Sequence, residues 1–395
     1  MDQRYRIGVV SIFDTANVGN RLQSYALHRA LSMLGYSPWV IRNIPEEYWR
    51  RHEYRDLAPR GIQRRIRAGV KRWWRRTPLW LNSLPGVSRN AVRSASLYPV
   101  GRYFASLFRR RNLTRFTYQE MDVHPPLVTS VAVAREEAQN FDAFVAGSDQ
   151  IWNPSMRHGS GLDFLVFAEP QKRVVYAASM GVAGLSNELV DVYKDSLKGT
   201  KHISLREASG VEIVRRLTAE AVEVVADPTL LVTADEWSRL ADLGRPISAT
   251  PFVATYLLYR NEPATRSKIA ATAGGAGLRV YDILRPPVGP QMSSAGIPEF
   301  LRAIRDAEYV VTDSFHATVF SVIFGKKICL VRRGVGQDSR VESLLLSLGF
   351  APGDISDNLD GVPSSLNRTQ VLSNLELLRD DSLKWLEEAL SAACR

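Results

Sequence analysis

The stretch Val310-Val311-Thr312-Asp313-Ser314-Phe315-His316 gathers the groups best suited to chemistry in this chain. An imidazole carries a proton near neutral pH. A carboxylate and a hydroxyl beside it can cap a helix or orient a ligand. The flanking residues set the geometry. Glu308 to Thr312 is apolar and β-branched enough for a buried strand, and Phe315 to Phe324 reads as a helix stopped by Gly325. A strand-to-helix turn leaves backbone N–H groups unpaired at the positive end of the helix dipole. One turn therefore offers an anion site and a proton carrier together. An ordinary helical histidine, with Asp313 or Ser314 as a plain cap, fits the same residues.

Other polar groups recur where strands should end. Ile7 to Ile12 reads as a strand, Asn20 to Leu34 as an amphipathic helix and Pro38 to Asn43 as a second strand, a βαβ opening. Its connecting loop, Asp14 to Asn20, is small and polar but is not a GxGxxG fingerprint. Strand Asp142–Ala146 runs into Gly147-Ser148-Asp149-Gln150-Ile151-Trp152-Asn153-Pro154, which breaks the alternation and mixes small, acidic and aromatic residues. Strand Arg173–Ala178 is followed by Ser179, His202–Leu205 by Arg206-Glu207, and Val222–Val225 by Asp227. Each polar residue would serve as a turn former. Their recurrence favours a site, because the carboxyl ends of parallel strands share one edge of the sheet.

These elements describe two Rossmann-like α/β domains with a cleft between them. The first spans residues 1–240 and the second 241–368, with a final helix at 369–395 placed to pack back on the first domain. Phe252–Leu258, Arg279–Ile283 and Lys327–Val331 are the further strands of the second domain. Gly274-Gly275-Ala276-Gly277 follows a helix and precedes a strand, which is the context of a C-cap and not of a dinucleotide loop.

Residues 46–120 interrupt the first domain with an Arg/Trp-rich, helical insertion. Between Arg50 and Arg115 stand 18 Lys or Arg against Glu53 and Asp56 alone, in a chain of 395 residues whose net charge is +10. The remainder of the chain is net acidic, so the basicity belongs to this segment. Ile62, Ile66, Val70, Trp73 and Trp74 fall on one helical face. Cations with interfacial aromatics suit an anionic membrane surface or a polyanionic glycan; a solvated insertion with packed tryptophans accounts for them equally. No RNP-like or helix-turn-helix pattern accompanies the segment, so nucleic acid is not an expected partner.

Two cysteines, Cys329 and Cys394, make neither a disulfide framework nor a zinc site, and a cytoplasmic location is expected, peripheral to the membrane if the insertion binds it. The first residues lack the form of a signal peptide. The chain has no P-loop, HExxH, CxxC or Asp-x-Asp, so neither a metal nor a cofactor is expected. The residues left suit an anionic phosphorylated donor with proton transfer from histidine.

In this order, Asn17-Val-Gly-Asn-Arg-Leu-Gln-Ser-Tyr-Ala-Leu27, Phe144-Val-Ala-Gly-Ser-Asp-Gln-Ile-Trp-Asn-Pro154, Tyr176-Ala-Ala-Ser-Met-Gly181, Ser204-Leu-Arg-Glu207, Val225-Ala-Asp-Pro-Thr-Leu230 and Thr312-Asp-Ser-Phe-His316 resemble the polysaccharide pyruvyl transferase family. The resemblance spans residues 5–45 and 140–350 and leaves the insertion outside it. It implies a glycosyltransferase-B-like fold. It also implies transfer of pyruvate from phosphoenolpyruvate to two hydroxyls of a sugar, in a cell-surface glycan or its lipid-linked precursor, leaving a cyclic ketal. By that resemblance His316 is the acid, with Asp149 beside it in the catalytic set, and Arg206 holds the donor's phosphate or carboxylate. Substrate contacts would come from Asn17, Gly19 and Asn20, from Ser148, Trp152 and Asn153, from Ser179, and from Ser314, Phe315 and Arg340. Many members carry Arg-Leu-His where this chain has Ser314-Phe315-His316, so phosphate binding must lean on backbone amides, Ser314, or a cation such as Arg340 or Lys326. A nucleotide-sugar glycosyltransferase of the same architecture, and a non-catalytic glycan- or membrane-binding protein, are the alternatives.

Overall fold

The computed structural model describes residues 4–14, 16–44, 108–157, 159–260, 262–285, 296–332, 338–351, 355–363 and 368–395. Residues 50–107 of the basic segment Arg50–Arg115, with the helical face expected at Ile62 to Trp74, lie outside them. Seven strands form the first sheet: β1 (Arg6–Val10), β2 (Ser37–Asn43), β3 (Val123–Val128), β4 (Ala143–Ala146), β5 (Arg173–Ala178), β6 (His202–Leu205) and β7 (Val222–Val224). Their order is β3-β2-β1-β4-β5-β6-β7, every pair parallel. The second sheet has β8 (Phe252–Tyr256), β9 (Arg279–Asp282), β10 (Tyr309–Thr312) and β11 (Lys327–Leu330), in the parallel order β11-β10-β8-β9. The expected architecture of two parallel α/β units is the one observed. The central strands β4, β5, β8 and β10 are buried along their whole length, which is why they read as unbroken apolar runs.

Two elements escaped the sequence reading. Strand β3 carries Pro125 and Pro126, which argue against a strand; it occupies the sheet edge, where a missing donor is tolerated, and its pairing with β2 shifts register there. A helix at Val131–Glu137, capped by Ser130, then leads into β4.

The stretch between the sheets forms a helix, Ala234–Asp242, that wedges the two units together. The ring of its Trp237 lies 5.6 Å from Tyr25 of the first helix, Val18–Met33, and 4.9 Å edge-on from Phe320 in the second unit. Glu236 accepts from Tyr25 Oη (3.1 Å) and from Arg29 Nε (2.6 Å). The same apolar core continues from Ile7 and Leu22 through Trp237 to Phe300 and Phe320. A second tie is Arg109, in the helix at 108–120, whose guanidinium donates to the carbonyls of Ile283 and Leu284 beyond β9. The last helix, Arg368–Ala393, lies against the first sheet: Ser382 Oγ accepts from Ala226 N at 2.9 Å, and Arg379 Nε donates to Leu230 O at 2.8 Å. Among the described residues, no helix is long and apolar enough to cross a membrane.

Candidate active site

The carboxyl ends of β1, β4, β5, β6 and β7 face the carboxyl end of β10, and the polar residues predicted at those ends converge there. The first helix begins at Val18 with Asn17 as its cap, the Asn17 side chain accepting from Asn20 N at 3.2 Å. The helix Phe315–Ile323 begins at the end of β10. These two amino termini meet: a Cβ at Gly19 would overlap His316 Nδ1 and lie 2.7 Å from Cγ. Only glycine permits that approach. Ser314 makes no side-chain cap, and Thr318 N is bonded to Ser314 O, so the N–H groups of the preceding turn point outward from the helix end.

His316 is buried, and among the described residues no hydrogen-bond partner reaches its Nε2. Burial pushes the imidazole pKa down, with Arg206 and Arg340 adding to that; Asp227 and Asp149 pull the other way and do not overcome it. Burial therefore favours the neutral ring in the free protein.

Asp149 sits on the loop after β4 with a φ of 51°, a left-handed conformation that Asp adopts more readily than most residues. The preceding Gly147 has a φ of 138°, and a Cβ there would collide with the Tyr176 carbonyl, so the loop follows β5 too closely for a side chain. Asp149 Oδ1 accepts from Arg206 (3.0 Å) and Oδ2 from Asn20 (3.2 Å). Burial would raise the carboxyl pKa; Arg206 first, then His316, Arg340 and the Asn20 bond, hold it well below the usual carboxylate range. These groups hold Asp149 ionised beside the imidazole.

Arg206 departs from its expected role. Its guanidinium is buried and bonded to Asp227 at 2.6 Å and Asp149 at 3.0 Å, and it lies over the Phe315 ring at 4.4 Å. With Glu207 also at 3.9 Å, three carboxylates surround its single charge. It is a strut that fixes Asp149 and grips the second unit through Phe315, and not a free cation awaiting the donor. Trp152 also departs: its indole is wholly buried, stacked on Phe164 at 4.8 Å, with Nε1 donating to Asp163 O. It braces the loop from behind and does not face the site. Asn153 closes the same loop, accepting from Ser155 N at 2.9 Å. Ser148 is buried against Gln23, donating to Oε1 from both N (3.1 Å) and Oγ (2.8 Å). Lys326 stands at the far end of the His316 helix, its Nζ on Ala307 O, and cannot serve an anion at the near end. Arg340, on the helix Ser339–Ser347, remains in range: its charge is felt by both Asp149 and His316. Ser179 is buried with its N–H on Asp149 O and, among the described residues, no partner for Oγ.

Two residues of this centre were missed as site candidates. Gln23, fully buried, positions Ser148 as described. Glu207 Oε1 accepts from Met180 N at 2.8 Å and fixes the turn after β5. The signal for Gln23 was available: Asn20, Gln23 and Ser24 form a polar stripe at helical spacing within an apolar helix.

Solved structures at low identity align over the length of the chain. The glycosyltransferase SnogD from Streptomyces nogalater aligns at 12% identity and a TM-score of 0.44, over 99% of this chain and 98% of that chain. UGT89C1 from Arabidopsis thaliana aligns at 13% identity and a TM-score of 0.43, over 100% of both chains. Likenesses this distant say nothing of substrate. No curated protein matches the sequence. The family profile described as polysaccharide pyruvyl transferase matches residues 17–333, from the cap of the first helix past His316 to the end of the second sheet, and the chain belongs to that family.

Proposed function

We propose that the protein transfers pyruvate from phosphoenolpyruvate to two hydroxyls of a sugar, in a cell-surface glycan or its lipid-linked precursor, giving a cyclic ketal and phosphate. The observation that carries this reading is the meeting of two helix amino termini around a buried imidazole at Gly19 and His316. Two dipoles directed at one point, with Arg340 nearby, favour a compact polyanion. Phosphoenolpyruvate is such an anion, and its enol phosphate needs a proton on carbon.

Arrival of the anion favours the imidazolium, which Asp149 also stabilises. His316 passes its proton to the methylene carbon, and the neighbouring carbon becomes oxocarbenium-like. The first sugar hydroxyl attacks that centre, and its proton restores the imidazolium. Phosphate leaves, the second hydroxyl closes the ring, and the second proton departs with phosphate. Arg206 and Asn20 hold Asp149 throughout.

The test is incubation with phosphoenolpyruvate and a sugar panel, following phosphate release and ketal formation by mass. His316→Gln should lower turnover by about 10²–10⁴-fold, the usual contribution of general acid catalysis. Calorimetry in buffers of different ionisation enthalpy should show proton uptake on donor binding by the wild type and less by His316→Gln. Consumption of a nucleotide sugar with no use of phosphoenolpyruvate overturns the reading in favour of a glycosyltransferase.

A further inference from the structure

Asp313 lies three residues before His316, yet its carboxylate does not face the imidazole. It turns to the loop beyond β8. Oδ1 accepts from Leu258 N, and Oδ2 from Tyr259 N and Arg260 N, each at 2.7 Å. The neighbouring Thr312 strengthens the tie, donating from Oγ1 to Tyr256 O at 2.7 Å and accepting from Ser314 N at 3.0 Å. One short run of β10 thus welds the loop after β8 to the turn that carries His316. Three charge-assisted bonds to successive amides make this loop rigid.

The side chains on that rigid backbone are nevertheless in solvent. Leu258 is 46% exposed and Tyr259 61%. The Arg260 guanidinium pairs with Glu262 at 3.7 Å, away from the clamp. The loop that this buried carboxylate immobilises presents exposed side chains and not core ones. That arrangement is explained if they contact something that must keep register with His316. A pyranose has an apolar C–H face and polar edges. A tyrosine on a fixed backbone offers the matching amphipathic surface at low entropic cost.

We propose that Leu258-Tyr259-Arg260 is the acceptor platform of this site, with the Tyr259 ring taking the face of an acceptor sugar and Asp313 acting as a positioning residue. The platform rests on the reading that the acceptor is a glycan. It supplies what the turn itself lacks, a surface that sets the distance between the sugar hydroxyls and His316.

The experiment uses the full chain and a panel of methyl hexopyranosides, with saturation-transfer NMR in the absence of donor. Transfer to sugar ring protons is expected with wild type and Tyr259→Phe, and about tenfold weaker binding with Tyr259→Ala, as the loss of one aromatic face implies. Phosphoenolpyruvate affinity should be the same for all three. With a sugar that turns over, Tyr259→Ala should raise its KM about tenfold and leave kcat within about twofold. Three results overturn the platform: equal sugar binding by Tyr259→Ala and wild type, equal loss in Tyr259→Phe and Tyr259→Ala, or no panel sugar binding the wild type. Sugar binding through Tyr259 without any use of phosphoenolpyruvate leaves the platform standing and removes pyruvyl transfer; turnover with unchanged KM in Tyr259→Ala does the reverse.

Discussion

Replacing Arg206 with methionine removes the cation from a buried cluster with Asp149, Asp227 and Glu207 and separates a strut from a ligand. Asp227 loses a partner at 2.6 Å, Asp149 one at 3.0 Å, and Phe315 the cation 4.4 Å above its ring. Breaking a buried pair by deleting one partner costs about 3–5 kcal/mol, because the other charge stays buried. The whole molecule should have roughly 5–15 kcal/mol to lose, so the variant folds with a much lower midpoint. The pH dependence sharpens the test. In the wild type the Asp149 pKa is depressed, so its stabilisation is present above the unfolded value near 3.9 and is lost only as pH falls through the lower folded value. In the variant, burial acts without the nearest cation, and the folded pKa rises. The variant's deficit is then full at neutral pH and shrinks on acidification through that raised value. Urea denaturation at pH 7.5 and pH 5.0, followed by fluorescence, reads both effects. Midpoints equal to wild type at both pH values, with loss confined to phosphoenolpyruvate affinity, would refute the strut and return Arg206 to the donor.

Gly19→Ala forces the first helix and the imidazole apart, since the added methyl meets His316. A displacement near 1 Å lowers turnover by about 10²-fold, and overpacking costs about 1–3 kcal/mol; turnover within twofold of wild type argues against the close approach. Activity should persist in excess chelator, and loss restored by magnesium or manganese would favour the nucleotide-sugar alternative. The basic segment should bind phosphatidylglycerol vesicles in flotation, less so at high salt, and Arg72, Arg75 and Arg76 changed together to Glu should abolish it. Equal recovery with neutral and anionic vesicles excludes the electrostatic membrane role.

Most strands were legible because a parallel strand buried on both faces is an apolar run stopped by a polar residue, as Ala146 gives way to Asp149 and Leu205 to Arg206. Strand β3 was not, because Pro125 and Pro126 obey edge rules that sequence does not announce. The candidate centre was legible as a list of strand ends but not as a set of pairings. Arg206 and its partners Asp149 and Asp227 were all picked out, yet they stand 57 and 21 residues apart, and nothing local says that the carboxylates neutralise the guanidinium. Trp152 misled for a related reason. A run without periodicity is the same whether its indole faces a ligand or, as here, the ring of Phe164.

The helix between the sheets has a spectroscopic consequence. Trp237 is fully buried because Tyr25 covers it from one unit and Phe320 from the other. Hinging of the units would expose the indole at the moment Gly19 leaves His316. Its emission would redden with opening and blue-shift with closure. The chain has eight tryptophans, so the signal is read as the difference between wild type and Trp237→Phe. That difference makes Trp237 an intrinsic optical gauge of whether the two halves of the centre are together, usable in stopped flow without a label.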